Sequence, residues 1–157
     1  MPGGNKIIFR RALSETSTTA SDLGTPGEIR YDTAGNKYRL VYLVGSCIHG
    51  GVLQYNSLSG NDGYSVLANA QTVIRPAGVQ NQALTSLTTG VYCWAQVAGM
   101  GSVSVLASYA ANLNLAVSTA GLVSIAGNHA TAVGRWVGHT VQSVTTGVQK
   151  VRFNMEP

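Results

Sequence analysis

The stretch that most constrains the fold is Leu87-Thr-Thr-Gly-Val-Tyr-Cys-Trp-Ala-Gln-Val-Ala-Gly-Met-Gly-Ser-Val-Ser-Val105. Successive side chains of a strand point to opposite sides of a sheet. Val91, Cys93, Ala95 and Val97 then share one face, and Tyr92, Trp94 and Gln96 the other. Both faces carry apolar bulk, which fits a central strand covered on two sides better than a solvated edge. Gly99 and Gly101 flank Met100 and give the backbone freedom to turn. The expectation is a strand, a tight glycine turn and a second strand through Val103 and Val105. Tyr92 and Trp94 bring the largest local burial, roughly 150–250 Å² each.

The flanking sequence repeats this style. Glu28–Asp32 alternates, Thr33-Ala-Gly-Asn36 has turn chemistry, and Lys37–Val44 returns, so a hairpin is expected over 28–44. Tyr38, Leu40 and Tyr42 would share a face, as would Ile29 and Tyr31, with Arg30, Lys37 and Arg39 opposite. Val52–Tyr55 reads as a short strand, and 56–63 as a surface loop. Tyr64–Ile74 mixes helix and strand preferences. Leu106–Asn112 suits either a helical turn or a strand end. Leu113, Leu115 and Val117 alternate, and Leu122–Ala126, Ala132–Val137, Thr140–Val144 and Val148–Phe153 read as further strands. Ser86-Leu-Thr-Thr-Gly-Val91 recurs as Ser143-Val-Thr-Thr-Gly-Val148, as expected of a shared glycine bend before a strand.

Short strands at about ten-residue spacing with turn signals between them indicate an all-β fold. The expected architecture is a single small β-barrel or β-sandwich over 23–157 with an extended N-terminal arm over 1–22. The 157 residues suffice for one domain with a true core. Residues 12–26 have the Ser/Thr/Gly composition of a linker.

Charge narrows the function classes. Only 10% of residues are charged, against ~25% in ordinary soluble domains. A surface of Ser, Thr, Asn, Gln and Gly costs little to desolvate and suits contact with another protein. The net charge of +4 is partly local, in Lys6, Arg10 and Arg11. Such an arm suits an acidic protein surface, nucleic acid or plain solvation. No basic stripe interleaved with aromatics follows, so nucleic acid is not an expected partner. Ile7, Ile8 and Phe9 make an apolar segment that would dock on a neighbouring subunit. No apolar run approaches the ~20 residues of a membrane-spanning helix, and the opening residues lack the apolar core of a secretory signal. No membrane partner is expected, and the chain is expected to be made in the cytoplasm.

The sequence carries no catalytic signature. His49, His129 and His139 have no metal-type spacing and read as ordinary loop histidines. The six acids form no general acid–base pair, no G-x-S-x-G elbow exists, and no glycine pattern cradles a phosphate. An enzyme is not expected, nor a cofactor or a metal site. Cys47 and Cys93 read as free buried thiols, although their spacing does not decide whether they pair. Trp94 reads as core. Trp136 beside Arg135 suits either core packing or partner contact, since aromatics and Arg concentrate at interface hot spots.

The segment Pro76–Gly99, with its Tyr-Cys-Trp-Ala run, resembles the capsid decoration (cement) proteins of tailed bacteriophages. Leu23–Val41 is similar to their early hairpin, and Val133–Gly138 with Val151–Asn154 to their final strands. The likeness covers roughly 23–154 and is a pattern of strands and glycines. It implies a protein on the outer surface of an icosahedral phage head, commonly a homotrimer, that stabilises the shell by bridging subunits of the major capsid protein without cofactor or catalysis. The long Ser/Thr-rich N-terminal region departs from the compact family core. The candidate contact residues are Lys6, Ile7, Ile8, Phe9, Arg10, Arg11, Arg135 and Trp136. The second expectation is a phage surface or tail module that recognises a glycan or host ligand through exposed aromatics and the loop 56–63.

Overall fold

The structure, a computed structural model, describes residues 15–55, 65–68, 76–80, 87–117, 123–125, 136–143 and 145–155. They form ten strands and one short 3-10 turn, Ala20–Asp22. The strands are β1 (Ile29–Tyr31), β2 (Lys37–Leu43), β3 (Val52–Tyr55), β4 (Ser65–Ala68), β5 (Pro76–Val79), β6 (Val91–Val105), β7 (Asn114–Val117), β8 (Val123–Ile125), β9 (Trp136–His139) and β10 (Gly147–Asn154). All belong to one curled, largely antiparallel sheet in the order β1-β2-β4-β3-β5-β6-β10-β9-β7-β8, with β2 and β8 also pairing with β6. The chain is therefore all-β, as its alternation indicates.

β6 organises the sheet, but as one continuous strand of 15 residues and not as the expected hairpin. Its first half, Val91–Ala98, runs antiparallel to β2, and its second half, Ala98–Val105, antiparallel to β10. Ala98 is the junction, paired with both Lys37 and Asn154. The pairings return on themselves twice. One circuit runs through β2, β4, β3, β5 and β6, and the other through β6, β10, β9, β7 and β8. Gly99 bends the strand without ending it. It has φ +107°, and a Cβ there would run into Asn36. Glycine inside a strand marks such close backbone approach.

Alternation sorts the core. Val41, Leu43, Cys47, Leu53, Ala77, Cys93 and Ala95 pack together inside the first circuit. Val52, Val79, Val103, Val105, Leu115, Val151 and Met155 form a second cluster. On the other face of the first circuit, Leu23 covers Tyr38, Leu40 and Trp94, so β6 is covered on both sides. Each fully buried Leu or Val contributes about 1.5–3 kcal/mol. Trp94 is core, as expected, at 3% exposure. Arg30 departs from its expected face. It pairs with Tyr38, while Ile29 pairs with Arg39 and Tyr31 with Lys37. Its guanidinium lies over the Trp94 ring, 4.7 Å from the centroid. Closing this apolar face with a stacked cation retains the charge at the surface.

The arm expected over 1–22 is described from Glu15 onward. There Ser17 forms an antiparallel bridge with Tyr92, exchanging hydrogen bonds of 3.2 and 2.7 Å. Cys47 and Cys93 are free and buried. Burial pushes the Cys47 thiol up to about 11 and the Cys93 thiol higher still. The expected strand Thr140–Val144 is absent between Thr140 and Ser143. Thr140 is fully buried, and its hydroxyl accepts from the Leu113 amide at 3.0 Å and donates to the Ala110 carbonyl at 2.8 Å. Its main chain also pairs there, the Thr140 amide donating to the Leu113 carbonyl at 2.9 Å and the Asn112 amide to the Thr140 carbonyl at 2.8 Å, so Thr140 fixes the neighbouring turn with both main chain and side chain. Of the expected strand Ala132–Val137, Trp136 and Val137 stand in β9, and 132–135 lie outside the described residues. The shared Thr-Thr-Gly segments do place a positive-φ glycine at a strand start: Gly90 at +86° before β6 and Gly147 at +106° opening β10.

Candidate functional site

The site is built from the turn between β1 and β2. Asp32 accepts the Asn36 amide at 2.8 Å through Oδ1, and the Asn36 side-chain Nδ2 at 2.7 Å and the Tyr38 hydroxyl at 3.1 Å through Oδ2. This holds the Asn36 amide in one orientation, with Oδ1 turned to β6. There it accepts the Met100 amide at 2.9 Å. The β1–β2 turn is thereby clamped onto the bend of β6. Beneath it, the fully buried Gln96 donates Nε2 to the carbonyls of Ala98 at 3.3 Å and Met100 at 3.1 Å.

Across the sheet from this clamp, register aligns a lateral row. Met100 of β6 stands opposite Arg152 of β10, Arg152 opposite His139 of β9, and His139 opposite Asn114 of β7. Directly opposed residues share a face, with Cβ atoms about 4.5–5.5 Å apart. Asn154, two residues beyond Arg152, lies on the same face. Together with Asn36 these residues line an open groove of about 600 Å³. Ala34, Gly35, Ala98, Gly99 and Gly138 complete its wall, so small residues leave room for the polar side chains. Among the described residues the lining holds the Arg152 guanidinium, three amide side chains and an imidazole, and no carboxylate. It can offer hydrogen bonds in both directions and one fixed positive charge.

None of these five polar residues was singled out for binding in the sequence. His139 reads there as a loop histidine but stands at the end of β9. The readable signal was the alternation Lys150, Arg152, Asn154 about the buried Val151. The candidate contact residues fall elsewhere. Lys6, Ile7, Ile8, Phe9, Arg10, Arg11 and Arg135 lie outside the described residues, as does the loop 56–63. Trp136 stands in β9 opposite Ala116 of β7. Among the described residues no group of three or more His, Cys, Asp or Glu comes together.

No family model and no curated protein matches this chain. A solved structure does. The chain is similar in fold to the N base of the head fiber protein gp8.5 of bacteriophage phi29, with a TM-score of 0.54 and 15% sequence identity. The match covers 76% of this chain and 94% of that one. At this identity the likeness is one of fold, and it extends over nearly the whole of the fiber base.

A second surface feature lies away from the groove. Ile48, Leu106 and Val148 are large apolar residues left 43–45% exposed. All three adjoin Ser104. Val148 is its partner across the β6–β10 pair, Leu106 follows it by two residues, and Ile48 precedes His49, whose carbonyl accepts the Ser104 hydroxyl at 2.9 Å.

Proposed function

We propose that this chain is a structural protein of a phage virion, seated on the outer surface of the head as a decoration protein. The observation that carries this reading is the fold shared with nearly the full length of a phage head fiber base. The sparse charge of the sequence supports it, because a surface with few ions is cheap to cover. So do Ile48, Leu106 and Val148, exposed apolar residues gathered about one point of the sheet. On this reading the chain acts by binding alone, without cofactor or catalysis. Its partners are the major capsid protein and further copies of itself, as a homotrimer. Attachment to the assembled shell and not to its parts stabilises the shell by mass action, and several weak contacts per oligomer add as avidity.

The test is reconstitution on heads of the source phage that lack this protein. Purified chain should co-sediment with the heads, appear as external density by electron microscopy, and raise their resistance to heat. A Leu106→Asp, Val148→Lys double variant that keeps its fold should lose occupancy. Failure of the unaltered chain to associate with heads overturns the reading.

A further inference from the structure

We infer that the groove across β7, β9, β10 and the β1–β2 turn is a binding site for an anionic saccharide, a hydroxyl-rich ligand with one negative group. The inference stands on the groove alone and does not require the head-surface reading. Its volume of about 600 Å³ falls among small-molecule sites, roughly 300–1,000 Å³. Those sites are usually enclosed and apolar. This one is open and lined by Asn36, Asn114, His139, Arg152 and Asn154, which selects against an apolar ligand.

The arrangement fits a sugar with a charge. Arg152 lies mid-row between Met100 and His139, and a guanidinium presents a planar fork suited to a carboxylate or phosphate. Among the described residues the lining holds no acid to compete for that fork. Asn154 stands two residues along β10 from Arg152, about 6.6–6.8 Å, and Asn114 two strands away across His139, about 9.4–9.8 Å, and each amide gives a donor and an acceptor. An array that broad engages several hydroxyls of a sugar at once, whereas a compact inorganic ion spans only Arg152 and its neighbour His139. Asn36 is preset by Asp32 and Met100, so one wall needs no reordering on binding. Met100, 37% exposed, offers an apolar contact for a ring face. Among the described residues no aromatic lines the groove, so these residues alone bind weakly, on the order of millimolar, and several copies on one particle would multiply the effect.

The test is a two-dimensional amide NMR titration of the full chain. The probes are digalacturonic acid, a glycerol phosphate oligomer, neutral digalactose, sodium acetate and a polyglutamate peptide. Shifts should centre on Gly99, Met100, Gly138 and His139 with one of the anionic hydroxylated probes; which one responds more strongly identifies carboxylate or phosphate as the source. Digalactose should bind about ten-fold more weakly, the worth of a hydrogen bond to a charged group. Arg152→Gln should remove the difference between charged and neutral sugar, and Arg152→Lys should restore part of it. Asn114→Ala should weaken both sugars alike. Arg152 is exposed, so its variants keep the fold, which the remaining spectrum verifies. The inference is overturned if neither anionic hydroxylated probe shifts these amides, if Arg152→Gln leaves digalacturonate and glycerol phosphate affinity intact, or if acetate or polyglutamate binds as tightly as these two. None of these outcomes bears on attachment to phage heads, which is read by sedimentation.

Discussion

Asn36 and Met100 are joined across 64 residues by a 2.9 Å hydrogen bond, the Met100 amide donating to Asn36 Oδ1. The bond closes the first hairpin over the bend of the long strand and sets one wall of the groove. It requires glycine at position 99, where the backbone lies at φ +107° and Asn36 occupies the space of a side chain.

Gly99→Ala therefore carries two penalties, one of backbone and one of contact. The backbone penalty alone is about 1–3 kcal/mol. Gly35→Ala, at φ +83° with open space at its Cβ, carries only the first. In urea denaturation both variants should shift the midpoint down, Gly99→Ala by more. Equal shifts would mean that Asn36 yields freely.

Thr140 ties the loop before β7 to the end of β9 with its hydroxyl. Thr140→Val keeps the shape but leaves the Leu113 amide without this acceptor. The expected loss is about 1–3 kcal/mol. Thr140→Ser keeps the hydroxyl and loses one methyl group, about 0.8 kcal/mol. Denaturation midpoints ordered wild type, Ser, Val would support this role, and Val at or above Ser would refute it.

Acid should weaken the first hairpin. At Glu28 partial burial raises the carboxyl pKa, but the Arg30 hydrogen bond, the Thr25 amide and the charge of Arg30 together outweigh it, leaving it below 4.5. At Asp32 burial also raises it, and the hydrogen bonds of Asn36, Tyr38 and the Ala34 amide bring it below 3.8. A carboxylate whose folded pKa is depressed stabilises the fold above its unfolded pKa and loses that contribution as pH falls through the folded one. Their contribution should thus be complete at neutral pH and decline below about 4.5 for Glu28 and 3.8 for Asp32. A Glu28→Gln variant should show a flatter acid limb in thermal melts between pH 5 and pH 2, roughly the span over which such groups titrate. An unchanged limb would remove Glu28 from the account.

Much of the architecture is legible in local alternation. The hairpin 28–44, the strand at Val52, the pairing-competent runs at Leu113, Leu122 and Val148, and the burial of Trp94 all follow from period-two patterning with turn residues between. The division of 91–105 into a hairpin does not survive, because Gly-Met-Gly looks the same locally whether a strand turns or bends. What decides is Asn36, whose arrival at Gly99 no local window contains. Alternation alone puts Arg30 on the face of Lys37 and Arg39, yet the register pairs it with Tyr38 and sets it over Trp94. Thr140 falls in a run whose turn-bounded spacing predicts a strand, but its hydroxyl serves the turn before β7. The groove is illegible for the same reason as the clamp: Asn36, Asn114, His139 and Arg152 come from four separate strands or turns, and only pairing brings them into one row.

The shared core cluster has one last consequence. The first circuit uses Val91–Ala98 of the long strand and the second Ala98–Val105, but Val52 and Val79 of the first circuit pack in one cluster with Val103, Val105, Leu115 and Val151 of the second. Parting the two circuits would expose that common cluster to water, so the protein should melt as an indivisible block, and its halves should not persist as separate miniature domains.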